Sequence, residues 1–168
     1  MARTEIQTDN RYFSRTEKTT DTWITPRYII DALGPFDIDP CAAPKMPWPT
    51  AKKMISLPDD GLKADWEGFV WLNPPYGREQ GAWIKKLAAH RGCGIALIPA
   101  RTDTALWHEV IFPLASVIFF VRGRISFCGM DGKPRVGNNS PSAIIGFGDN
   151  SKMRFCGLLE MEGKVFFQ

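Results

Sequence analysis

The chain has 168 residues, 44% of them hydrophobic and 23% charged, a balance that supports one domain with a buried core and excludes intrinsic disorder. A formal net charge of +3, with a pI near 8.7, permits contact with a polyanion without requiring it. No apolar run approaches the roughly 20 residues that span a bilayer, and the polar stretch from Met1 to Asp21 has no signal-peptide core, so a cytoplasmic location is expected.

In chain order, residues 1–20 read as a flexible arm, with one domain over 21–168. Thr25-Pro26 opens a helix: threonine can cap free amides, and proline suits the first helical position. Gly34-Pro35 ends it. Phe36 to Asp39 alternates as a strand does, and a Pro-rich loop runs from Pro40 to Pro49. A short strand can fit within 51–57, before a turn at Asp59-Asp60-Gly61. Phe69-Val70-Trp71-Leu72 is a fully apolar strand that must leave its sheet at Pro74-Pro75. Gln80 to His90 is a helix whose apolar face holds Trp83, Ile84, Leu87 and Ala88. Gly94 to Pro99 is a buried strand, and Thr102 caps a helix through Leu106, Val110 and Leu114. Strands follow at Val117–Val121 and Ala143–Phe147, with a terminal hairpin over 154–167. Such alternation predicts an α/β sheet covered by helices on both faces, mostly parallel with antiparallel edge strands.

An apolar strand running straight into Asn73-Pro74-Pro75-Tyr76 is the strongest chemical signal. Ligands of open α/β sheets bind beyond the carboxyl ends of strands, where this tetrapeptide falls. The Asn73 side-chain oxygen and the Pro74 carbonyl form a pair of acceptors for the two N–H groups of a planar amine, whose delocalised lone pair is a poor nucleophile. The prolines pre-set the loop, and Tyr76 offers a ring for a base to stack on.

Asp39 ends the first strand, where its carboxylate suits an ammonium or a ribose hydroxyl; alternatively it caps a turn. Thr25-Pro26 can place amides near a carboxylate, or simply cap. Asp65 either accepts from an adenine amine or sits in a surface turn, and Asp59 and Asp60 are further candidates for that pocket. A glycine-rich phosphate loop is missing after the first strand, which argues against a phosphate-bearing ligand there. Cys41, Cys93, Cys128 and Cys156 show no CxxC spacing, so neither a disulfide framework nor a metal site is expected.

The blocks W-I-T-P, F-D-I-D-P-C-A, D-D-G-L, D-W, N-P-P-Y-G, I-P-A-R-T-D-T, W-H and R-G-R-I-S-F, in that order over residues 15–148, resemble the phage-type, Dam-like DNA N6-adenine methyltransferase family, often found in phages and prophages. The resemblance implies a single-domain Rossmann-like methyltransferase fold, S-adenosylmethionine as cofactor and DNA as partner. It implies a target adenine flipped against Asn73, Pro74, Pro75 and Tyr76, and a cofactor contacted by Thr25, Pro26, Asp39, Pro40, Asp65 and Asn73. Arg101, Arg122, Arg124, Lys133 and Arg135 are then the candidate DNA contacts, mostly to phosphate, with Thr102 and Asp103 at the substrate's lip. Neither a metal nor a membrane is implied; a phage-encoded enzyme would act in the host cytoplasm, and protection against restriction is a purpose the family suggests.

Three competing readings stand beside this one. Pro40-Cys41 resembles the nucleophile of cytosine C5 methyltransferases, whose chemistry needs a thiolate. The same acceptors could serve cytosine N4, an RNA adenine or a protein glutamine. A catalytically silent DNA-binding module is the alternative outside enzymes.

Overall fold

The computed structural model describes residues 23–158 and 161–167; the expected N-terminal arm over 1–20 lies outside them. In chain order the elements are α1 (Arg27–Leu33), β1 (Ile38–Asp39), β2 (Lys53–Met54), β3 (Val70–Leu72), α2 (Gln80–Ala89) and β4 (Gly94–Pro99). A π-helical turn (Trp107–Ile111) leads into α3 (Phe112–Leu114), followed by β5 (Val117–Val121) and β6 (Ser142–Phe147). Then α4 (Asp149–Arg154) runs into a 3-10 turn (Phe155–Leu158), and β7 (Gly163–Phe167) closes the order.

Side-chain alternation decides the layering. Val70 and Leu72 of β3, with Ala96 and Ile98 of β4, face one core; Trp71, Ile95 and Leu97 face the other. Strands buried on both faces need cover on both. Trp83, Ile84 and Leu87 of α2, with Trp107, Val110 and Ile111, cover the first face. Ile29, Ile30 and Leu33 of α1, with Phe155 and Leu158, cover the second. This is the two-faced α/β arrangement that the pattern predicts.

The seven strands lie in the order β2-β1-β3-β4-β6-β5-β7. β2, β1, β3 and β4 run parallel, consistent with a Rossmann-like methyltransferase fold. β6 is antiparallel to both β4 and β5, so β5 points the same way as β4; β7, antiparallel to β5, is the edge strand. β1 is flanked by β2 on one side and β3 on the other, so strand order reverses there. A crevice must open beyond the carboxyl ends of β1 and β3, because the connections diverge to opposite sides.

Four local expectations change. Thr25 does not cap α1, which starts after Pro26 without any side-chain cap. Thr102 does not cap the next helix either: Thr104 Oγ1 donates to the Arg101 carbonyl (2.9 Å), and the helix starts later. The terminal hairpin is a helical segment and a single strand. Ser151, Phe155 and Leu158 are buried at helical spacings, and Ser151 Oγ lies 2.6 Å from the Phe147 carbonyl and 3.1 Å from that of Gly94. β1 is also shorter than the alternation suggests, since the Asp37 carboxylate takes the Phe69 N–H (2.8 Å) and Lys52 Nζ (2.8 Å).

Candidate active site

Because β1, β3, β4 and β5 point the same way, their carboxyl ends share one rim. Asp39 ends β1, Asn73 follows β3, Arg101 follows β4 and Arg122 follows β5. A cavity of about 790 Å³ opens there, lined by Thr25, Asp39 to Pro44, the Asp59–Lys63 turn and Asn73 to Tyr76. Its volume suits a small-molecule site.

Asn73 is held by residues far away in the chain. Its Nδ2 donates to the Trp23 carbonyl (3.0 Å) and to Thr25 Oγ1 (3.3 Å). A carbonyl can only accept, so the amide nitrogen must face Trp23 and Oδ1 is left as the outward acceptor. Among the described residues, neither Asn73 Oδ1 nor the Pro74 carbonyl receives a hydrogen bond. The segment from Trp23 to Thr25 is itself fixed: Ile24 pairs with Cys128, and Trp48 Nε1 donates to the Thr25 carbonyl (3.2 Å). The W-I-T-P block is thus a strut for the N-P-P-Y loop, in place of the capping role its sequence suggests.

Asp39 is 3% exposed yet lines the cavity. Its Oδ1 accepts from the Cys41 N–H (3.0 Å), and its Oδ2 accepts from the Thr50 hydroxyl. Burial pushes the carboxyl up to about 6, and those two hydrogen bonds act against that rise. The same burial, with the Asp39 carboxylate nearby, pushes the Cys41 thiol up to about 12. A thiolate nucleophile at Cys41 is therefore suppressed, which opposes the C5 reading.

Gly61 explains the D-D-G-L block, since a side chain there would collide with the Pro40 carbonyl. The close approach brings the Asp59–Asp60 turn against the β1 loop. Asp60 is held by Lys63 (3.1 Å) and takes the Leu62 N–H (3.0 Å). Trp66 anchors the turn from behind, donating through Nε1 to the Gly61 carbonyl (2.7 Å), with Lys86 over its ring at 4.7 Å.

Tyr76 is 39% exposed at the mouth, edge-on to Phe127 at 6.4 Å; Phe127 is edge-on to Trp23 at 5.9 Å. The surrounding protein raises the Tyr76 phenol further above its ordinary value by desolvation, so it stays neutral.

The cavity thus gathers Thr25, Asp39, Pro40, Asn73, Pro74, Pro75 and Tyr76 of the expected residues. Pro26 is set back at the start of α1, outside the lining. Asp65 is exposed and borders a separate depression of about 230 Å³ beside Trp66, Lys86 and His90, while Asp59 and Asp60 line the main cavity. Arg101, Arg122, Arg124, Lys133 and Arg135 are all exposed outside it. Arg122 pairs with Glu162 (3.4 Å) and Arg135 with Asp131 (3.2 Å), surface contacts weak enough to yield to phosphate. Sequence reasoning missed Trp23 and Thr50. Trp23 acts through its carbonyl, and Thr50 follows the Pro-rich loop without local pattern, so neither leaves a readable signal.

Among known proteins, residues 14–155 match the family model described as DNA N-6-adenine-methyltransferase (Dam). A DNA N-6-adenine-methyltransferase of Escherichia phage T1 is 32% identical over 148 aligned residues, covering 74% of this chain and 61% of that protein. The chain therefore spans less than two-thirds of that curated relative's length.

Proposed function

The chain belongs to the DNA N-6-adenine-methyltransferase (Dam) family, and from that premise we propose that it methylates the exocyclic N6 of adenine in DNA, using S-adenosylmethionine. The observation that carries the reading is the clamped Asn73 amide, which leaves Oδ1 and the Pro74 carbonyl as two acceptors without a partner among the described residues, at the rim of the cavity.

The residues present fit such a cofactor. A buried carboxylate, Asp39, suits an ammonium or ribose hydroxyl; apolar Ile55, Leu57 and Leu62 suit an adenine ring; and no phosphate cradle is needed. Asp59 or Asp60 takes the place beside that ring that the sequence suggests for Asp65. When bound, S-adenosylmethionine supplies an electrophilic sulfonium methyl. Asn73 and Pro74 accept the two N–H groups of the target amine, hold it in line and favour its pyramidal form. Tyr76 stacks on the base after it leaves the duplex, and the exposed Arg101, Arg122, Arg124, Lys133 and Arg135 hold backbone phosphates.

Incubation with DNA and S-adenosylmethionine, followed by methylation-aware sequencing and nucleoside mass analysis, tests the proposal. N6-methyladenine is expected. N4-methylcytosine, methylation of RNA or protein only, or no cofactor binding at all would each replace it with a rival reading.

Two substitutions sharpen the assignment. Tyr76→Ala should weaken base binding by about 1–3 kcal/mol, seen as a raised KM for DNA, while Tyr76→Phe should behave like the native enzyme because the ring, and not a titrating phenol, does the stacking. Cys41→Ser should keep kcat within about threefold, since its thiol is not ionised near neutral pH. Abolished methylation in a folded Cys41→Ser protein would restore the covalent mechanism.

A further inference from the structure

The stretch from 122 to 141 joins β5 to β6 above the same rim, and most of it is anchored. Ile125 and Phe127 are buried, Cys128 pairs with both Ile24 and Pro134, and Asn138 Nδ2 donates to the Ile125 carbonyl (3.1 Å). Val136 is the opposite case. It is 99% exposed, more than any other large hydrophobic side chain among the described residues. A branched apolar group wholly in water contributes no burial to the fold.

The surroundings present it outward. The Arg135 side chain folds back along the surface to Asp131 (3.2 Å), beside Gly129, where any added side chain would collide with the guanidinium. Gly137 holds φ +114, a conformation open essentially to glycine, so the chain bends sharply just after Val136. A Cβ built on Gly137 would lie 4.0 Å from the Trp23 ring. Trp23 lines the cavity and connects through Phe127 to Tyr76. The apolar tip therefore stands one residue from a ring at the mouth of the site, in a loop that also carries the exposed cations Arg124 and Lys133.

We infer that Val136 is a wedge, entering the duplex where the target adenine rotates out and shielding the apolar faces of the base steps that this exposes. The inference rests on the proposed function. Flipping costs a few kcal/mol of stacking and pairing, and an apolar side chain inserted between base steps offsets part of it. It also predicts its own dependence: the wedge matters only while the target base is paired.

The test compares Val136→Ser with the native protein on two duplexes, one fully paired and one with the target adenine opposite an abasic site. On the paired duplex kcat/KM should fall about tenfold, and on the weakened duplex it should recover to within about twofold of native. Thermal stability should not change, since the side chain is 99% exposed. Equal losses on both duplexes, as expected of simple groove contact, or no loss on the paired one, would overturn the wedge while leaving the proposed function standing. If the native protein methylates neither duplex, it is the proposed function that fails.

Discussion

Asn73→Ala should lower kcat for methyl transfer about 10²–10³-fold while S-adenosylmethionine still binds. The effect falls on the chemical step because the substitution removes Oδ1, one of the two acceptors that we propose preorganise the amine as it becomes a nucleophile. The fold should also lose about 1–2 kcal/mol, since Nδ2 no longer meets the Trp23 carbonyl and Thr25 Oγ1. Asn73→Asp separates the two effects. It keeps the shape and the outward oxygen, but sets a carboxylate oxygen against the Trp23 carbonyl, so it should destabilise more than alanine does. Single-turnover kinetics, calorimetric titration with the cofactor and urea unfolding read the three quantities. Unchanged turnover in Asn73→Ala would remove the loop from the chemistry.

Asp39→Asn should act in opposite directions on stability and on binding. Burial holds the native carboxyl at about 6, above its ordinary value, so the unfolded chain ionises first as pH rises. Asp39's contribution to stability is therefore full below the ordinary carboxylate range and is lost as pH climbs through about 6, by up to about 3 kcal/mol. Asparagine has no charge to desolvate and can still engage Thr50 and the Cys41 N–H. The cofactor-free variant should be more stable than native at neutral pH, and its stability should be flatter between about pH 4 and about pH 7. Affinity for S-adenosylmethionine should nevertheless fall about 10–100-fold, the loss of a charged hydrogen-bond partner. Native affinity should itself weaken below about pH 6, approaching tenfold per pH unit, because the ligand needs the ionised form. Equal affinity in Asp39→Asn would place the cofactor elsewhere. The expected trade between stability and binding is the usual condition of a charge buried for function.

The exposed loop cations are a weaker case. Their ion pairs with Glu162 and Asp131 show that local acids can satisfy Arg122 and Arg135 in the absence of DNA. Salt dependence of DNA binding, compared across single substitutions, would count how many of them meet phosphate.

Much was legible from residues alone. The apolar strands around Val70–Leu72 and Gly94–Pro99, their alternation with helices, and the position of Asn-Pro-Pro-Tyr at a strand's carboxyl end follow from local rules. Periodicity and proline chemistry operate over a few residues, so they survive in a one-dimensional reading. Capping was less secure. Thr25 and Thr102 have the right residue type for caps, but Thr25 is recruited by Asn73 and the helix after Thr102 begins further on. The buried Ser151, Phe155 and Leu158 did carry a helical spacing, in a stretch more readily read as a hairpin.

What only the tertiary structure decided is which atoms face the cavity and which are held by partners. The orientation of the Asn73 amide depends on Trp23, 50 residues away, and the environment of Asp39 depends on Thr50, 11 residues away across a Pro-rich loop. Asp59 and Asp60 line the main cavity and Asp65 does not, in a turn that Trp66 holds by bonding back to Gly61. Such contacts join separate segments whose spacing is set by packing, and no repeat along the chain encodes it. Residue types and their order determined the kind of chemistry; the fold determined the geometry in which it can occur.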